Sequence, residues 1–391
     1  MTARTVADLR TVRTDHVGGL PRPFWLREKQ AAFERGDLAA EALEAAHRDA
    51  VARLVARQEE IGVPIVTDGE GSRRTFQESF GGAVSGFDSL PYRYPVDLSP
   101  FLGDEAASTS AIPTERAASG MPENGPAIIH RRPTIARLRL VRNLLLEEYL
   151  RASSLASTPA KVTLIGPDRI VQRFAHESSG DVYRDTDDFL ADVIDIEREM
   201  IAEVIEAGCT YIQIDEPGYT AYVDPLSLEM MRNRGEDPEA NLDRGIAADN
   251  SLIAGFAGVT FAVHICRGGG GGRGGRAFHR EGHYDAIAER LYQGLHFDRF
   301  LLEYDSEAAG GFEGLRYMPE NKIAVLGLVS NHGPVESRQF VESRLEEATR
   351  FISLEQTAIC PRCGLGGLSR DEDVAWRKLA LLEEVARDIW R

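Results

Sequence analysis

Apolar and polar residues alternate along this chain with two periods, one typical of strands and one typical of helices. The short strand-like runs cover residues 62–70, 161–170, 209–217, 258–266, 298–305, 322–330 and 357–364. The longer amphipathic stretches predict helices over 135–152, 185–208, 284–295, 334–352 and 371–390. Because strands that alternate with helices form parallel sheets, we expect either a doubly wound sheet or a TIM barrel.

The predicted domain organisation is a single barrel that spans residues 1–391. Barrels of this class often exceed 250 residues as one unit, and no linker divides the chain. A stretch rich in Gly, Pro and Ser follows the first strand-like run, so we predict an irregular insertion at about 75–126.

Composition and charge remove several classes of function. The chain has 43% hydrophobic residues and a net charge of −17, which argues against a general nucleic-acid binder. The N-terminus has no apolar core of a signal peptide, and no run of eighteen apolar residues predicts a membrane span. Four cysteines in so long a chain do not resemble a disulfide framework, so we expect a cytoplasmic, reduced protein.

Polar residues interrupt the pattern mainly where predicted strands end, and in a barrel those ends share the rim that carries the active site. The residues at these positions are Asp215, Glu216, His264, Cys266, Glu303 and Cys363. His264 and Cys266 are two residues apart and would point to the same side of a continuing strand. Four side chains of this set, His264, Cys266, Glu303 and Cys363, could therefore converge on one catalytic Zn²⁺ ion.

Plainer interpretations stand beside this hypothesis. One His-x-Cys pair is weak evidence for a metal, and Glu303 could be an ordinary carboxylate of the rim. The sequence CPRC at 360–363 resembles half of a zinc ribbon, but the chain has no second CxxC. Cys360 is either an alternative ligand or a neighbour, and Cys209 fits a small buried residue.

Four segments together resemble a known family. They are IQIDEP (212–217), HICRG (264–268), LLEYD (301–305) and PRCGLGG (361–367), and DHVGGLPRP (15–23) adds an N-terminal signature. They resemble the C-terminal catalytic half of cobalamin-independent methionine synthase. They are closer still to its short single-barrel relatives, which include epoxyalkane:coenzyme M transferase.

The resemblance implies a UROD/MetE-like (β/α)8 TIM barrel with zinc bound by His264, Cys266, Glu303 and Cys363. It selects Cys363, directly before Gly364, over Cys360. It further implies that Asp215 and Glu70 bind the ammonium group of homocysteine, and that the backbone at Gly18 and Gly19 binds its carboxylate. The plainer alternatives are that Asp215 caps the following turn and that Glu70 lies in a solvated loop.

The chain departs from the family at three places. Gly19 stands where the family has a serine, and Pro167 and Asp168 lie where a tryptophan stacks the folate pterin. This second departure argues against folate as the methyl donor. The family's proton-donating histidine aligns near Val329, so His332 either replaces it or is a histidine of a surface loop.

Further candidates lie near the predicted rim. His16 could act as an acid or base, or make a purely structural hydrogen bond. Arg267 could pair with an anionic group of the substrate, and Arg73 and Arg74 are weaker candidates for the same role. The glycine-rich stretch 268–275 lacks the Lys-Ser/Thr ending of a phosphate-binding loop, so we interpret it as a loop over the rim.

The predicted function is zinc-dependent alkyl transfer to a small thiol, most simply methyl transfer to homocysteine. The alternatives are thiol transfer to another electrophile such as an epoxide, or C–S bond cleavage at the same zinc. RNA binding through the arginine-glycine loop fits only that loop and conflicts with the negative charge. The expected partners are a small thiol and an alkyl donor, with no nucleic acid or membrane, and a homo-oligomer remains open.

Overall fold

The computed structural model describes residues 11–73, 75–88, 131–268, 280–368 and 372–390. Its strands are β1 (Val84–Phe87), β2 (Thr134–Leu140), β3 (Val162–Ile165), β4 (Tyr211–Asp215), β5 (Thr260–Ile265), β6 (Arg299–Glu303), β7 (Ile323–Val329) and β8 (Thr357–Pro361). Its α-helices are α1 (Phe24–Glu34), α2 (Ala40–Ile61), α3 (Glu78–Gly81), α4 (Leu144–Leu155), α5 (Pro167–Gln172), α6 (Thr186–Glu206), α7 (Pro225–Asn233), α8 (Pro238–Ile253), α9 (Ala288–Gly294), α10 (Arg338–Ala348) and α11 (Glu372–Ile389).

Short 3₁₀ turns follow several strands and precede others. They cover His176–Ser178, Pro217–Tyr222, Tyr284–Ala286, Glu307–Ala309, Glu313–Tyr317, Leu354–Gln356 and Leu365–Leu368. None of the helices in the described ranges is long and apolar enough to cross a membrane.

Strands β3 to β8 form one parallel sheet in chain order. Two short extended segments add to its edges, since Thr14 pairs in parallel with Ile359 of β8 and Val66 pairs in parallel with Ala160 before β3. These two segments also contact each other, because the Thr67 hydroxyl donates to the Gly18 carbonyl at 2.9 Å. The sheet therefore closes into the predicted barrel.

The barrel strands are buried on both faces, as expected for a parallel sheet that is covered by helices. All five positions of β4 are buried. Ile212 and Ile214 belong to the large core beneath the helices, whereas Tyr211 packs with the inner cluster that includes Leu301 and Val325. The inner face of β4 therefore carries Tyr211, Gln213 and Asp215, and its last residue lies at the rim.

The helix predicted over 185–208 is confirmed as α6, and the Asp185 side chain caps it by accepting from the Asp188 amide at 2.8 Å. The helix predicted over 135–152 is wrong in its first half. Residues 134–140 form β2, which pairs antiparallel with β1, and α4 begins only at Leu144 after the capping side chain of Asn143. Three successive exposed residues follow Thr134 in β2, so the stretch lacks the continuous buried stripe that a helix would need.

The segment predicted as an irregular insertion at 75–126 begins with regular structure. Helix α3 and strand β1 lie within it, and β2 lies beyond its end. Residues 89–126 of the predicted insertion fall outside the described residues.

Candidate active site

The carboxyl ends of β5 and β8 bring three predicted metal ligands together. One ligand atom from each of His264, Cys266 and Cys363 lies within 4.8 Å of the other two. His264 is in β5, Cys266 directly follows that strand, and Cys363 lies two residues beyond β8. The three side chains thus come from two separate parts of the chain that the parallel sheet places at one rim.

The spacing of the two thiols fits a shared metal ion. Their Sγ atoms lie 4.0 Å apart, and both cysteines are free. Tetrahedral zinc with Zn–S bonds of about 2.3 Å would hold two sulfur atoms about 3.8 Å apart. A disulfide requires a separation of about 2.05 Å. The donor set, one imidazole nitrogen and two thiols, is one that zinc favours.

The orientation of His264 is fixed by Asp215. Nδ1 of His264 lies 3.1 Å from Oδ1 of Asp215, and the amide Nε2 of Gln213 donates to that same oxygen at 2.7 Å. Carboxylates commonly orient metal-binding histidines through the ring nitrogen that does not face the metal. This arrangement directs Nδ1 to Asp215, while Nε2 lies 3.4 Å from the Arg362 carbonyl oxygen.

The electrostatics of the cluster favour ionised sulfur. The hydrogen bond from Cys363 lowers the pKa of the Cys266 thiol, and the neighbouring His264 lowers it further. Burial alone would lower the pKa of His264, but Cys266 and Asp215 outweigh it and raise that pKa to about 10. The same sulfur contact raises the pKa of Cys363, so the two thiols are shifted in opposite directions.

Glu303, the fourth predicted ligand, lies close by but is engaged elsewhere. Its Oε1 accepts from Nη1 of Arg362 at 3.2 Å, and its Oε2 accepts from the backbone amide of Arg267 at 2.9 Å. Burial raises the pKa of Glu303 to about 7, against the opposing effect of Arg362. Glu303 does not belong to the three-residue group that could hold a metal ion.

Glu70 and the glycine pair form a second wall of the site. The Thr163 hydroxyl donates to Oε1 of Glu70 at 3.1 Å, and a Cβ atom at Gly19 would lie 3.3 Å from Oε2 of Glu70. Gly18 has a φ of 118°, and its own Cβ would lie 2.7 Å from Thr163. The serine that the family carries at this place would crowd Glu70, so Gly19 leaves room for the carboxylate.

Glu70 is not in a solvated loop. Its side chain is 14% exposed and its φ is 55°, a left-handed backbone conformation that is uncommon for residues other than glycine. Burial raises the pKa of Glu70 to about 7, with Arg73 opposing and Asp215 adding to the increase. Two carboxylates, Glu70 and Asp215, therefore act on each other at the rim.

Asp215 does not cap the turn that follows it. No side chain caps this turn, Pro217–Tyr222, and the neighbouring Glu216 instead accepts from the Asp168 amide at 2.9 Å at the start of α5. The side chain of Asp215 points to the inner face, where it contacts Gln213 and His264. This finding favours the site-forming interpretation of Asp215.

The arginine candidates are largely occupied by protein groups. The guanidinium of Arg267 donates to the Gly282 carbonyl, and its Nε is buried without a partner among the described residues. Arg73 donates through Nε to Glu148 at 2.8 Å and through Nη1 to the Thr163 hydroxyl at 3.1 Å. Arg74 lies outside the described residues, as does the glycine-rich stretch beyond Gly268.

The two histidine candidates lie in different environments. His332 is exposed on the loop after β7, with Nδ1 3.1 Å from the Ser330 hydroxyl. His16 is 1% exposed, and both nitrogens of its ring are buried without a hydrogen-bond partner among the described residues. Burial and the nearby Lys161 lower the pKa of His16 to about 4. A neutral ring that faces α2 argues against His16 as an acid or base at the rim.

Cys209 and Cys360 are buried as small core residues. Cys360 is 1% exposed, and its sulfur faces the Val325 carbonyl at 3.8 Å. Burial raises the pKa of both thiols, that of Cys209 to about 12. The structure therefore places Cys363, and not Cys360, beside Cys266.

Sequence reasoning missed the groups that support the site. Gln213 orients Asp215, and Lys161 in turn donates to Oε1 of Gln213 at 2.8 Å. Arg362 pairs with Glu303 and Asp305. A signal for Gln213 was available, because polar residues occupy every second position of an otherwise apolar strand, Tyr211–Asp215.

Comparisons with known proteins agree with this geometry. Residues 12–93 match the family described as "Cobalamin-independent synthase, Catalytic domain". The uncharacterized protein YxjG of Bacillus subtilis is 30% identical over 389 residues, which cover 97% of this chain and 95% of that protein. A methionine synthase of Saccharolobus solfataricus is 25% identical over 382 residues, with 97% and 95% covered.

A solved structure supports the same fold. The B12-independent methionine synthase from Shewanella sp. W3-18-1, in complex with selenomethionine, superimposes with a TM-score of 0.70 at 20% sequence identity. The match covers 97% of each chain, so the similarity extends over the whole barrel. This chain belongs to the cobalamin-independent methionine synthase family.

Proposed function

We propose that this protein is a zinc-dependent enzyme that transfers a methyl group to the sulfur of a small thiol, with homocysteine as the acceptor. The observation that carries the proposal is the group formed by His264, Cys266 and Cys363, whose donor atoms lie within 4.8 Å of one another at the barrel rim. Membership in the family supports the reaction class. We further propose that residues 1–391 form one barrel domain.

Zinc at this group would keep a thiol substrate ionised at neutral pH, where free alkyl thiols are mostly protonated. The protein's own residues prepare the place for it. Asp215 holds Nδ1 of His264, and Gln213 holds Asp215, so the imidazole is oriented before any ligand arrives. The two cysteines make the site anionic, which keeps a substrate sulfur electron-rich.

The carboxylates of Glu70 and Asp215 suit the ammonium group of an amino-acid thiol. Burial and the nearby Asp215 raise the pKa of Glu70 to about 7, against the opposing effect of Arg73. An ammonium group between them would relieve this repulsion and favour both ionised forms. The backbone at Gly18 and Gly19 lies beside Glu70 and would face the substrate carboxylate.

The methyl donor is the least constrained part of the proposal. Pro167 and Asp168 begin α5, and the Asp168 carboxylate is bonded to the Tyr222 hydroxyl at 2.8 Å. This position thus offers no aromatic ring for a pterin. The observation favours a donor other than folate, and it keeps open thiol transfer to another electrophile, such as an epoxide, or cleavage of a C–S bond.

The test is a panel of thiols and methyl donors on the zinc-loaded protein, with products identified by mass spectrometry. We expect methionine from homocysteine with at least one methyl donor, and none from the Cys266→Ser variant. Alkylation of a different thiol without any methionine would contradict homocysteine as the acceptor. Zinc binding without alkylation of any thiol would contradict the reaction class.

A further inference from the structure

The arginine pair Arg169 and Arg280 lies on either side of the turn that follows β4. Arg169 is in α5, which follows β3, and its amide donates to Glu216 Oε2 at 3.1 Å. Arg280 comes after β5 in the chain, and its Nη1 donates to the Pro217 carbonyl, and to the Thr220 hydroxyl at 3.0 Å. Because β3, β4 and β5 are neighbours in the sheet, the two arginines belong to one side of the rim.

The acceptors of both guanidinium groups are neutral. Nη1 of Arg169 donates to Gln172 Oε1 at 3.1 Å, and its Nε is buried without a partner among the described residues. Those of Arg280 are a carbonyl and a hydroxyl. By contrast, Arg73 and Arg362 of the same rim each contact a carboxylate. Within the part of the chain that the structure describes, the arginine pair therefore forms no ion pair.

Burial makes these two cations unfavourable in the free protein. It lowers the pKa of Arg169 to about 9, and the nearby Arg280 and Arg173 add to this effect, against the opposing effect of Glu216. Arg280 is 8% exposed, and burial lowers its pKa as well. A buried charge is costly unless a charge of opposite sign accompanies it. An anion in contact with both guanidinium groups would remove this cost.

We propose that Arg169 and Arg280 form a subsite for an oxyanion group, a carboxylate, sulfonate or phosphate, of the substrate that donates the alkyl group. A guanidinium binds such a group through two parallel N–H donors. The inference rests on the proposed function for the identity of that substrate. The carboxylate of homocysteine is assigned there to the backbone at Gly18 and Gly19, so the arginine pair serves the other substrate.

Thr220 connects the arginine pair to the proposed zinc group. Its hydroxyl accepts from Arg280 and donates to the Cys266 carbonyl at 2.9 Å. The Arg280 amide also donates to the carbonyl of Arg267, the residue after Cys266, at 3.3 Å. An alkyl donor anchored by the arginine pair would therefore lie beside the place where the thiol binds.

The test is equilibrium dialysis of the full-length, zinc-loaded protein against radiolabelled inorganic sulfate, at constant ionic strength. We expect saturable binding that is weakened about tenfold or more in Arg169→Met and in Arg280→Met, since each removes a charged donor. Arg280→Lys keeps the charge and should lose less affinity. Arg344→Met removes a mostly buried arginine that has its own carboxylate partner, Glu347, and this matched control should bind sulfate as the wild type does.

Stability in urea provides a second measurement. Without sulfate, Arg169→Met should be at least as stable as the wild type, because it removes a buried cation that has no ion pair. Added sulfate should stabilise the wild type and not the variant. Destabilisation of Arg169→Met in the absence of sulfate would show that the protein itself compensates this charge, and it would overturn the inference.

Saturating homocysteine separates the two sources of an oxyanion group. It should leave sulfate binding unchanged, whereas competition would assign the arginine pair to the homocysteine carboxylate and overturn the inference. Absence of saturable sulfate binding, or equal binding by the wild type and both Met variants, would overturn the subsite and leave the proposed methyl transfer intact. Sulfate binding in a protein that alkylates no thiol would instead overturn the proposed function, and with it the assignment to an alkyl donor.

Discussion

The floor and the rim of the barrel are both lined with buried charges, but their charges are balanced in different ways. At the floor, Oδ1 of Asp15 accepts from Lys161 Nζ at 2.6 Å, and Oδ2 accepts from the Tyr211 hydroxyl at 2.5 Å and lies 3.6 Å from Arg299. Although burial alone would raise it, Lys161 and Arg299 lower the pKa of Asp15 to about 2. The floor thus supplies its own counter-ions.

At the rim, Glu70 and Glu303 each have an arginine nearby, Arg73 at 3.7 Å and Arg362 at 3.2 Å, but the effect of burial outweighs that of the arginine. The pKa of Glu70 and that of Glu303 are both raised to about 7 by burial. The thiols of Cys266 and Cys363, whose pKa values are shifted in opposite directions, lie at the same rim. The ion pairs of the floor stabilise the fold, whereas a cation bound at the rim would favour the ionised form of carboxyl groups whose pKa is raised. Perturbed groups of this kind are typical of functional sites.

The largest expected effect is a difference in zinc content and activity between variants of Cys360 and Cys363, two cysteines that are three residues apart. Cys363→Ser should lose most of its bound zinc and its activity, because it removes one of three ligands of the rim. Cys360→Ser should keep its zinc and its activity, because the sulfur of Cys360 is buried against the Val325 carbonyl and is not one of the three ligands. Zinc content by atomic emission and the methyl-transfer assay measure the difference. Equal zinc content in the two variants would contradict the proposed ligand set.

The next effect concerns the floor. Lys161→Met should lower the free energy of unfolding by about 3–5 kcal/mol, because it leaves Asp15 buried without its closest cation. Arg137→Met, which removes a half-exposed pair with Asp188 and Asp192, should cost far less, because water screens the charges of that pair. Urea unfolding of the metal-free proteins measures both.

A control for Lys161→Met is the double variant Asp15→Asn/Lys161→Met, which removes both charges of the pair. It should recover a large part of the lost stability. If it is as unstable as Lys161→Met, the packing of Lys161, and not its charge, stabilises the floor.

The contributions of Glu70 at the rim and of Asp15 at the floor of the barrel to stability should depend on pH with opposite signs. The pKa of Glu70 in the folded protein, about 7, lies above its ordinary value of 4.5. Its contribution is therefore fully present below pH 4.5 and is lost as the pH rises through 7. The metal-free protein should lose about 2 kcal/mol of unfolding free energy between pH 5 and 8 from this group.

Asp15 behaves in the opposite way, because its pKa is lowered to about 2 from 3.8. Its contribution is present above pH 3.8 and is lost only as the pH falls through 2. Denaturant unfolding of the metal-free proteins between pH 5 and 8 measures the contribution of Glu70. The free energy of unfolding should decline less steeply with pH in Glu70→Gln than in the wild type. An unchanged decline would show that Glu70 is ionised in the folded protein at neutral pH.

The smallest effect concerns the glycine pair. Gly19→Ser should raise the KM for homocysteine by about two- to threefold, or about 0.5 kcal/mol, since its Cβ would lie 3.3 Å from Glu70 Oε2. Gly19→Ala places the same Cβ without a hydroxyl and separates crowding from hydrogen bonding. A lower KM in Gly19→Ser than in Gly19→Ala would show that the hydroxyl assists binding.

The strand ends were the most predictable part of the molecule. Parallel strands direct their carboxyl ends to one rim, so the order of the elements could place His264 and Cys266 beside a cysteine of the segment 360–363, and the family resemblance selected Cys363. The first half of the helix predicted over 135–152 failed, because an antiparallel pairing with β1 decides the conformation of this stretch. Apolar content alone does not distinguish these two states over seven residues.

The partners of long polar side chains could not be predicted. Arg362 reaches Glu303 across two strands, and Lys161 reaches Asp15 across the barrel floor. Such contacts depend on rotamers and on the closed shape of the sheet, neither of which is visible in residue order. For the same reason His16, next to Asp15 in sequence, faces α2 while Asp15 faces the interior.

The central claim is that a substrate thiol joins zinc held by two protein sulfurs at the rim. X-ray absorption at the zinc edge of the loaded protein, with and without homocysteine, tests this claim directly. We expect two sulfur scatterers at about 2.3 Å without the thiol and three with it. A sulfur count that stays at two with every thiol tested would contradict the account.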